Sequence, residues 1–125
     1  MEAKAARKHA ALLRMVAHPT RLMILDELAA GVKCVNHIGE ILEVPQPNVS
    51  QHLAVLKDSG LVTCHKDGTA RCYHLAKPGL VKDLFRMLRK DYPVAEVGNP
   101  DRCRAARKAL ERSLTATRRR TPARA

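Results

Sequence analysis

The stretch V-P-Q-P-N-V-S-Q-H-L-A-V-L-K-D-S-G-L-V, from Val44 to Val62, constrains this chain more than any other. Val49, Leu53, Leu56 and Leu61 fall at helical spacing and make one buried stripe. Pro47 suits a first helical position and Gly60 a C-terminal cap, which places a helix of about a dozen residues between them. The outer face of that helix is unusual. Gln46, Asn48, Ser50, Gln51 and His52 crowd its first turns, and Lys57 follows near its end. Amide and hydroxyl groups at a leading end suit hydrogen bonding to base edges in a major groove, where Glu and Lys would suit plain solvent. A preceding helix, Asn36–Glu43, joined through the short Val44-Pro45 turn, completes a helix-turn-helix with the Pro47–Ser59 helix as reader. The same residues also fit an ordinary amphipathic helix with a polar N-terminus.

Charge favours the first reading. The chain has 125 residues, with 23 Lys and Arg against 12 Asp and Glu, a net charge of +11. Such an excess points to a polyanionic partner, most simply double-stranded DNA. Phe85, Tyr73 and Tyr92 are the whole aromatic complement, too few for a reader that stacks single-stranded bases. No apolar run approaches a membrane span and no leader precedes the first helix, so the expected location is cytoplasmic, away from membranes. Four cysteines in a reducing compartment read first as free thiols, metal ligands or redox sensors. C-x-x-C, H-E-x-x-H and a glycine-rich phosphate loop are all missing, so an enzyme is not expected.

At this length one domain is expected, a DNA-binding and dimerisation domain over 1–92, followed by a basic helix and tail over 93–125. Glu2–Ala17 is rich in helix formers. Pro19 opens a second helix to Ala30, with Leu22, Ile24, Leu25 and Leu28 as its inner stripe. After Gly60 the period becomes alternating. Leu61–Lys66 and Thr69–Leu75 flank Asp67-Gly68, a two-residue hairpin signal. That turn sets Cys64 opposite Arg71 and Thr63 opposite Cys72. Val62, Cys64, Tyr73 and Leu75 are read as the core face, and Thr63, His65, Cys72 and His74 as the polar one. The fold is thus mainly α with a small β-hairpin wing, a winged helix-turn-helix. Lys66 and Arg71 on the wing are placed for phosphates. Pro78–Asp91 forms a further helix whose apolar stripe, Leu80, Val81, Leu84, Phe85 and Leu88, is wide enough to serve both the core and a second subunit. Pro93–Pro100 is a loop, Asn99-Pro100-Asp101 has the chemistry of a helix start, and Asp101–Thr117 is a final basic helix. Arg118 to Ala125 is expected to be disordered.

H-P-T-R-L at 18–22, K-C-V at 33–35, the Gln46–Val62 segment and D-G-T-A-R-C-Y-H-L at 67–75 together resemble the ArsR/SmtB family of metal- and metalloid-sensing repressors. The resemblance covers residues 12 to 90. It implies a homodimer paired through the first helix and the Pro78–Asp91 helix, an inverted-repeat DNA operator, and release when an effector binds. It also makes Lys33–Val35 a short first strand beside the second wing strand. Relatives that sense arsenicals or cadmium carry C-V-C-D-L before the reader. Here Cys34-Val35-Asn36-His37-Ile38 keeps the first thiol and replaces the second. Zinc sensors use Asp and His on the dimerisation helix, which here offers Asp83 without a histidine. The cysteine positions of sulfide-responsive relatives match Asp26 and Arg89.

Among the thiols, Cys34 stands at the family's ligand position; its plainer reading is a small apolar side chain at a junction. Cys72 comes near it if the first strand pairs with the second wing strand, or is simply a residue under the sheet. Cys103 sits among Arg102, Arg104 and Arg107, which favour thiolate; it either completes a three-thiolate site or is an ordinary surface thiol. Cys64 reads as structural. The expected function is therefore a transcriptional repressor released by a soft ion on Cys34, Cys72 and Cys103, with As(III) or Sb(III) favoured and Cd(II) or Pb(II) open. A thiol redox or reactive-sulfur switch on the same fold is the alternative, and a constitutive architectural DNA binder the third.

Overall fold

The helix before the reader ends on Glu43, whose backbone sits in the left-handed region (φ 53°, ψ 39°) and turns the chain sharply toward Pro45. The computed structural model describes residues 1–95 and 100–120, with side chains to residue 118. Gly98, Asn99 and the tail beyond Arg120 lie outside the described residues, and with them the expected Asn99 cap and the end of the expected disordered tail.

In chain order the elements are α1 (Ala3–Val16), α2 (Pro19–Ala29), β1 (Lys33–Cys34), α3 (Val35–Leu42), α4 (Gln46–Asp58), β2 (Val62–Asp67), β3 (Ala70–Leu75), α5 (Pro78–Arg89) and α6 (Pro100–Arg120). α6 runs through Arg118 to Arg120, so the expected disorder does not begin at Arg118. The chain divides into one unit over Met1–Lys90 and a second over Asp91–Ala125.

Helices α2 and α4 start as their sequence dictates. His18 caps α2, its Nδ1 accepting from the Thr20 N–H at 3.1 Å, and Pro19 follows at a position that needs no donor. α4 opens on Gln46-Pro47, and the Pro45 carbonyl accepts from the Asn48 and Val49 N–H groups at 2.9 and 3.1 Å. Ile24, Leu25 and Leu28 of α2, Ile38 of α3, and Val49, Leu53 and Leu56 of α4 converge on one core, closed by Leu61, Val62, Tyr73 and Val81. Gly39 lets α3 approach the turn: a Cβ there would stand 3.2 Å from the Val44 carbonyl oxygen.

The sheet has the antiparallel order β1-β3-β2. Its turn is Gly68-Thr69, one residue later than the Asp67-Gly68 expectation, because Asp67 still pairs with Ala70. The register corrects two pairings: Cys64 lies opposite Tyr73 rather than Arg71, and Thr63 opposite His74 rather than Cys72. Gly68 supplies the left-handed residue of the turn (φ 63°), which leaves Asp67 free to finish the strand. The face assignments survive this shift, with one exception. Cys72, on the face read as polar, is only 6% exposed.

Candidate nucleic-acid interface and thiol pair

α4 turns Val49, Leu53 and Leu56 inward, which forces Gln46, Asn48, Ser50, Gln51 and Lys57 outward, all exposed. Lys66 and Arg71 are paired neighbours beside the wing turn and are both exposed. Reader helix and wing thus present two polar edges of one unit, with a cleft of about 560 Å³ between them. Gln46, Ser50 and Lys57 wall it on one side, Arg71 on the other, and Asn36 and Cys34 at the base of α3.

His52 is placed differently from the other reader residues. It is half-buried against α2, where its Nδ1 accepts from Arg21 Nε at 3.2 Å and its ring lies 4.4 Å from that of His18. Arg21 also donates to the Met15 carbonyl at 3.1 Å. Burial, then the nearby His18 and Arg21 charges, push the His52 pKa below its ordinary value, so the ring stays neutral as an acceptor. The arrangement makes His52 a brace between α4 and α2. Spacing did not reveal this, although a histidine three residues after Val49 falls on the flank of the apolar stripe.

The strand pairing brings two thiols together. Cys34 is directly opposite Cys72 in the β1–β3 ladder, so both side chains share one face, and their Sγ atoms are 2.8 Å apart. Cys34 is also the residue that precedes the first turn of α3, so the pair is attached to the helix-turn-helix itself. The hydrogen bond with Cys34, then burial, push the Cys72 thiol up to about 11, so it keeps its proton more firmly than an ordinary thiol. Cys64 is half-buried on the opposite face beside Tyr73. Cys103 is exposed on α6, in the second unit. Among the described residues, no cluster of three His, Cys, Asp or Glu side chains could hold a metal ion.

Asp26 and Arg89, the positions matched to the sulfide sensors' cysteines, do meet. They form an ion pair at 2.7 Å that ties α2 to α5, and the Arg89 guanidinium lies 5.1 Å over the Phe85 ring. Asp83, the one residue matching the zinc sensors, pairs with Arg86 at 3.4 Å. Among the described residues, no helix is long and apolar enough to cross a membrane.

A reader helix, a three-stranded wing and a helix packed behind them define a winged helix-turn-helix protein of the kind that handles duplex DNA. Residues 18–63 match the profile described as "Bacterial regulatory protein, arsR family". The chain is 45% identical over 65 residues to the transcriptional repressor SmtB of Mycobacterium tuberculosis, a match covering 52% of this chain and 48% of that protein. It is 36% identical over 77 residues to the arsenical resistance operon repressor of Staphylococcus aureus, covering 62% of this chain and 73% of that one. Its fold matches the homodimeric winged helix-turn-helix DNA-binding domain of Mb0332 from Mycobacterium bovis with a TM-score of 0.62 and 31% identity, over 71% of this chain and 83% of that domain. The chain belongs to the ArsR family of bacterial regulatory proteins. It spans about half the length of the SmtB relative it matches.

Proposed function

We propose that this protein is a transcriptional repressor that holds an inverted-repeat DNA operator as a homodimer and lets go when a soft metal or metalloid ion binds Cys34 and Cys72. The observation that carries the reading is the thiol pair, 2.8 Å apart at the base of the helix-turn-helix. Gln46, Asn48, Ser50 and Gln51 read base edges, Lys57, Lys66 and Arg71 take phosphates, and His52 braces the reader. The second subunit covers the outer sides of α1 and α5, where Leu13, Met87 and Leu88 stand about half exposed in the single chain.

Thiolate ligands select soft ions such as Cd(II), Pb(II), As(III) and Sb(III) over Mg(II) and Ca(II). An ion with metal–sulfur bonds of about 2.3 Å holds two thiolates roughly 3.8 Å apart. Its entry therefore spreads a pair now at 2.8 Å and moves Cys34, and α3 with it. Inverting a hundredfold bias toward the DNA-bound form takes about 5.5 kcal/mol of differential affinity, within the range of metal–thiolate binding. Of the three thiols in the first unit, Cys34 and Cys72 make the pair and Cys64 lies on the other face of the sheet, so Cys103 is the remaining candidate for a third thiolate.

A second reading has its own support. Thiols on directly paired strand positions can close to a disulfide with little backbone movement. Oxidation would draw the pair together where an ion spreads it. The deciding experiment follows operator binding by fluorescence anisotropy while reduced protein is titrated with As(III), Sb(III), Cd(II), Zn(II) or a mild oxidant. Release by thiophilic ions under reductant supports the first reading, and release by oxidant alone supports the second. No release by either leaves the pair structural and sinks both.

A further inference from the structure

The strand register puts more than two thiols on one face of the sheet. His65 lies directly opposite Cys72 in the β2–β3 ladder, as Cys34 does in the β1–β3 ladder. Cys34, Cys72 and His65 therefore form one row across all three strands, and directly paired residues share a face. His74, two residues after Cys72 on β3, projects from that same face. Its ring centroid lies 5.6 Å from that of His65, and its Nε2 is 2.7 Å from Thr63 Oγ1. Cys72 is the hub of the group, next to Cys34 and His65 across the ladders and to His74 along the strand.

We propose that His65 and His74 join Cys34 and Cys72 as ligands of one divalent ion, Zn(II), Cd(II) or Co(II), held tetrahedrally by two sulfurs and two nitrogens. This rests on the proposed reading in which the thiol pair takes an ion, and it names the class of ion and the remaining donors. Two thiolates with two imidazoles make a donor set suited to such ions. Imidazoles on one tetrahedral ion, at metal–nitrogen distances of about 2.0–2.1 Å, have centroids roughly 5 Å apart, close to the spacing here. As the side chains stand, no three of the donors converge on one point. Rotation of side chains closes the site. His65 is exposed and His74 half-buried, and neither belongs to the core, so their rings turn without repacking it. Thr63 can keep one nitrogen of His74 while the other turns to the ion, the usual support for a histidine ligand. Both thiols give up their protons to solvent on binding, and the two thiolate charges neutralise the ion. An ion so held spans the sheet and ties Cys34, the start of α3, to the wing strand β2.

Co(II) absorption tests this in the reduced full-length protein. Tetrahedral coordination gives strong visible bands and thiolate ligation a near-ultraviolet charge-transfer band, and Zn(II) or Cd(II) should abolish both by displacement. His65→Gln and His74→Gln should each weaken Co(II) binding at least about tenfold. As(III), followed by its own thiolate absorption, needs no imidazole and should bind both variants as it binds the parent. His37→Gln, on α3, should match the parent with both ions. Parent-like Co(II) affinity in either His65→Gln or His74→Gln overturns the four-donor site and leaves the thiol-pair reading standing. Equal losses for Co(II) and As(III) also overturn it, because the histidines would then shape the thiol pair without ligating. A parent that shows no Co(II) charge-transfer band but still binds As(III) overturns the inference alone. Neither ion on the thiols removes both the reading and the inference.

Discussion

Cys34 and Cys72 face one another across the β1–β3 ladder with their sulfur atoms 2.8 Å apart, and Cys34 is at the same time the residue from which α3 starts. A change in the spacing of these sulfurs is therefore a change in the seat of the helix-turn-helix. Cys34→Ser and Cys72→Ser are each expected to bind the operator as the parent does and to lose at least about tenfold in response to thiophilic ions, the minimum for a two-thiolate site reduced to one. Cys64→Ser should respond as the parent, and Cys103→Ser reports whether a third thiolate takes part. Because Cys72 holds its proton up to about 11, ion binding should also release protons and strengthen as pH rises through the neutral range. Operator release at unchanged ion concentration in Cys34→Ser would remove the pair from the mechanism.

Reader and wing should fail in different ways. Gln51, exposed on α4, is expected to read a base, so Gln51→Ala should cost about 1–3 kcal/mol on the operator and much less on unrelated DNA. Arg71 is expected to meet a phosphate, so Arg71→Ala should weaken both DNAs alike and make the salt dependence shallower by about one unit of slope. Parallel salt titrations of both variants on both duplexes separate the roles. A Gln51 loss that is equal on operator and random sequence would show that Gln51 does not discriminate bases.

The reader helix was legible because three constraints coincide on it: the Val49, Leu53, Leu56 stripe, Pro47 near its start and Gly60 after its end. The β1–β3 pairing that joins Cys34 to Cys72 had a different source. A two-residue strand carries no periodicity, and only the resemblance to a family supplied it. The hairpin turn lies one residue later than expected, which shifts every cross-strand partner by two, because Asp-Gly and Gly-Thr both make plausible turns and the choice is settled by whether Asp67 pairs. His52 looked like a reader from its neighbours in sequence. Its real partners, Arg21 and His18, are more than thirty residues away and reach it through the packing of α2 on α4.

The brace formed by His52 predicts a pH dependence. Its folded pKa lies below the ordinary value of 6.5, so the unfolded chain binds the extra proton first as pH falls. The contribution is therefore fully present above about pH 6.5 and fades as pH falls toward the depressed folded value. Thermal unfolding of the parent should lose more stability between about pH 7.5 and 5.5 than that of His52→Gln, which cannot titrate. Equal pH slopes for the two proteins would mean that His52 is not held buried against α2 in solution.

Leu88 should separate folding from assembly. It is 55% exposed on α5, beyond Val81, Leu84 and Phe85, which pack on the core. Leu88→Glu removes little buried area from the single chain, so its monomer stability should change by no more than about 0.5 kcal/mol. A charge placed inside a dimer interface is far costlier, so sedimentation should show monomers, with operator affinity reduced accordingly. An intact Leu88→Glu dimer places the interface elsewhere.

Gly39 tests the angle between the two helices of the reader pair. A methyl group there would stand 3.2 Å from the Val44 carbonyl oxygen and 3.8 Å from Val49 Cγ2. The oxygen belongs to a short turn with little freedom to give. The Val44 N–H is bonded to the Gly39 carbonyl at 3.1 Å, and Glu43 between them already occupies the left-handed region. Alanine gains up to about 1 kcal/mol over glycine in a helix. Overpacking at a site that cannot relax costs about 1–3 kcal/mol. The second effect is expected to win, so Gly39→Ala should lower the urea midpoint and, by tilting α3 against α4, weaken operator binding. Gly79, on α5, is the control: nothing lies within 4 Å of its added Cβ, so Gly79→Ala should be neutral or slightly stabilising. If both variants unfold at or above the parent's midpoint, the turn is looser than the Gly39–Val44 approach implies, and a movement of Cys34 could be absorbed there without reaching the reader.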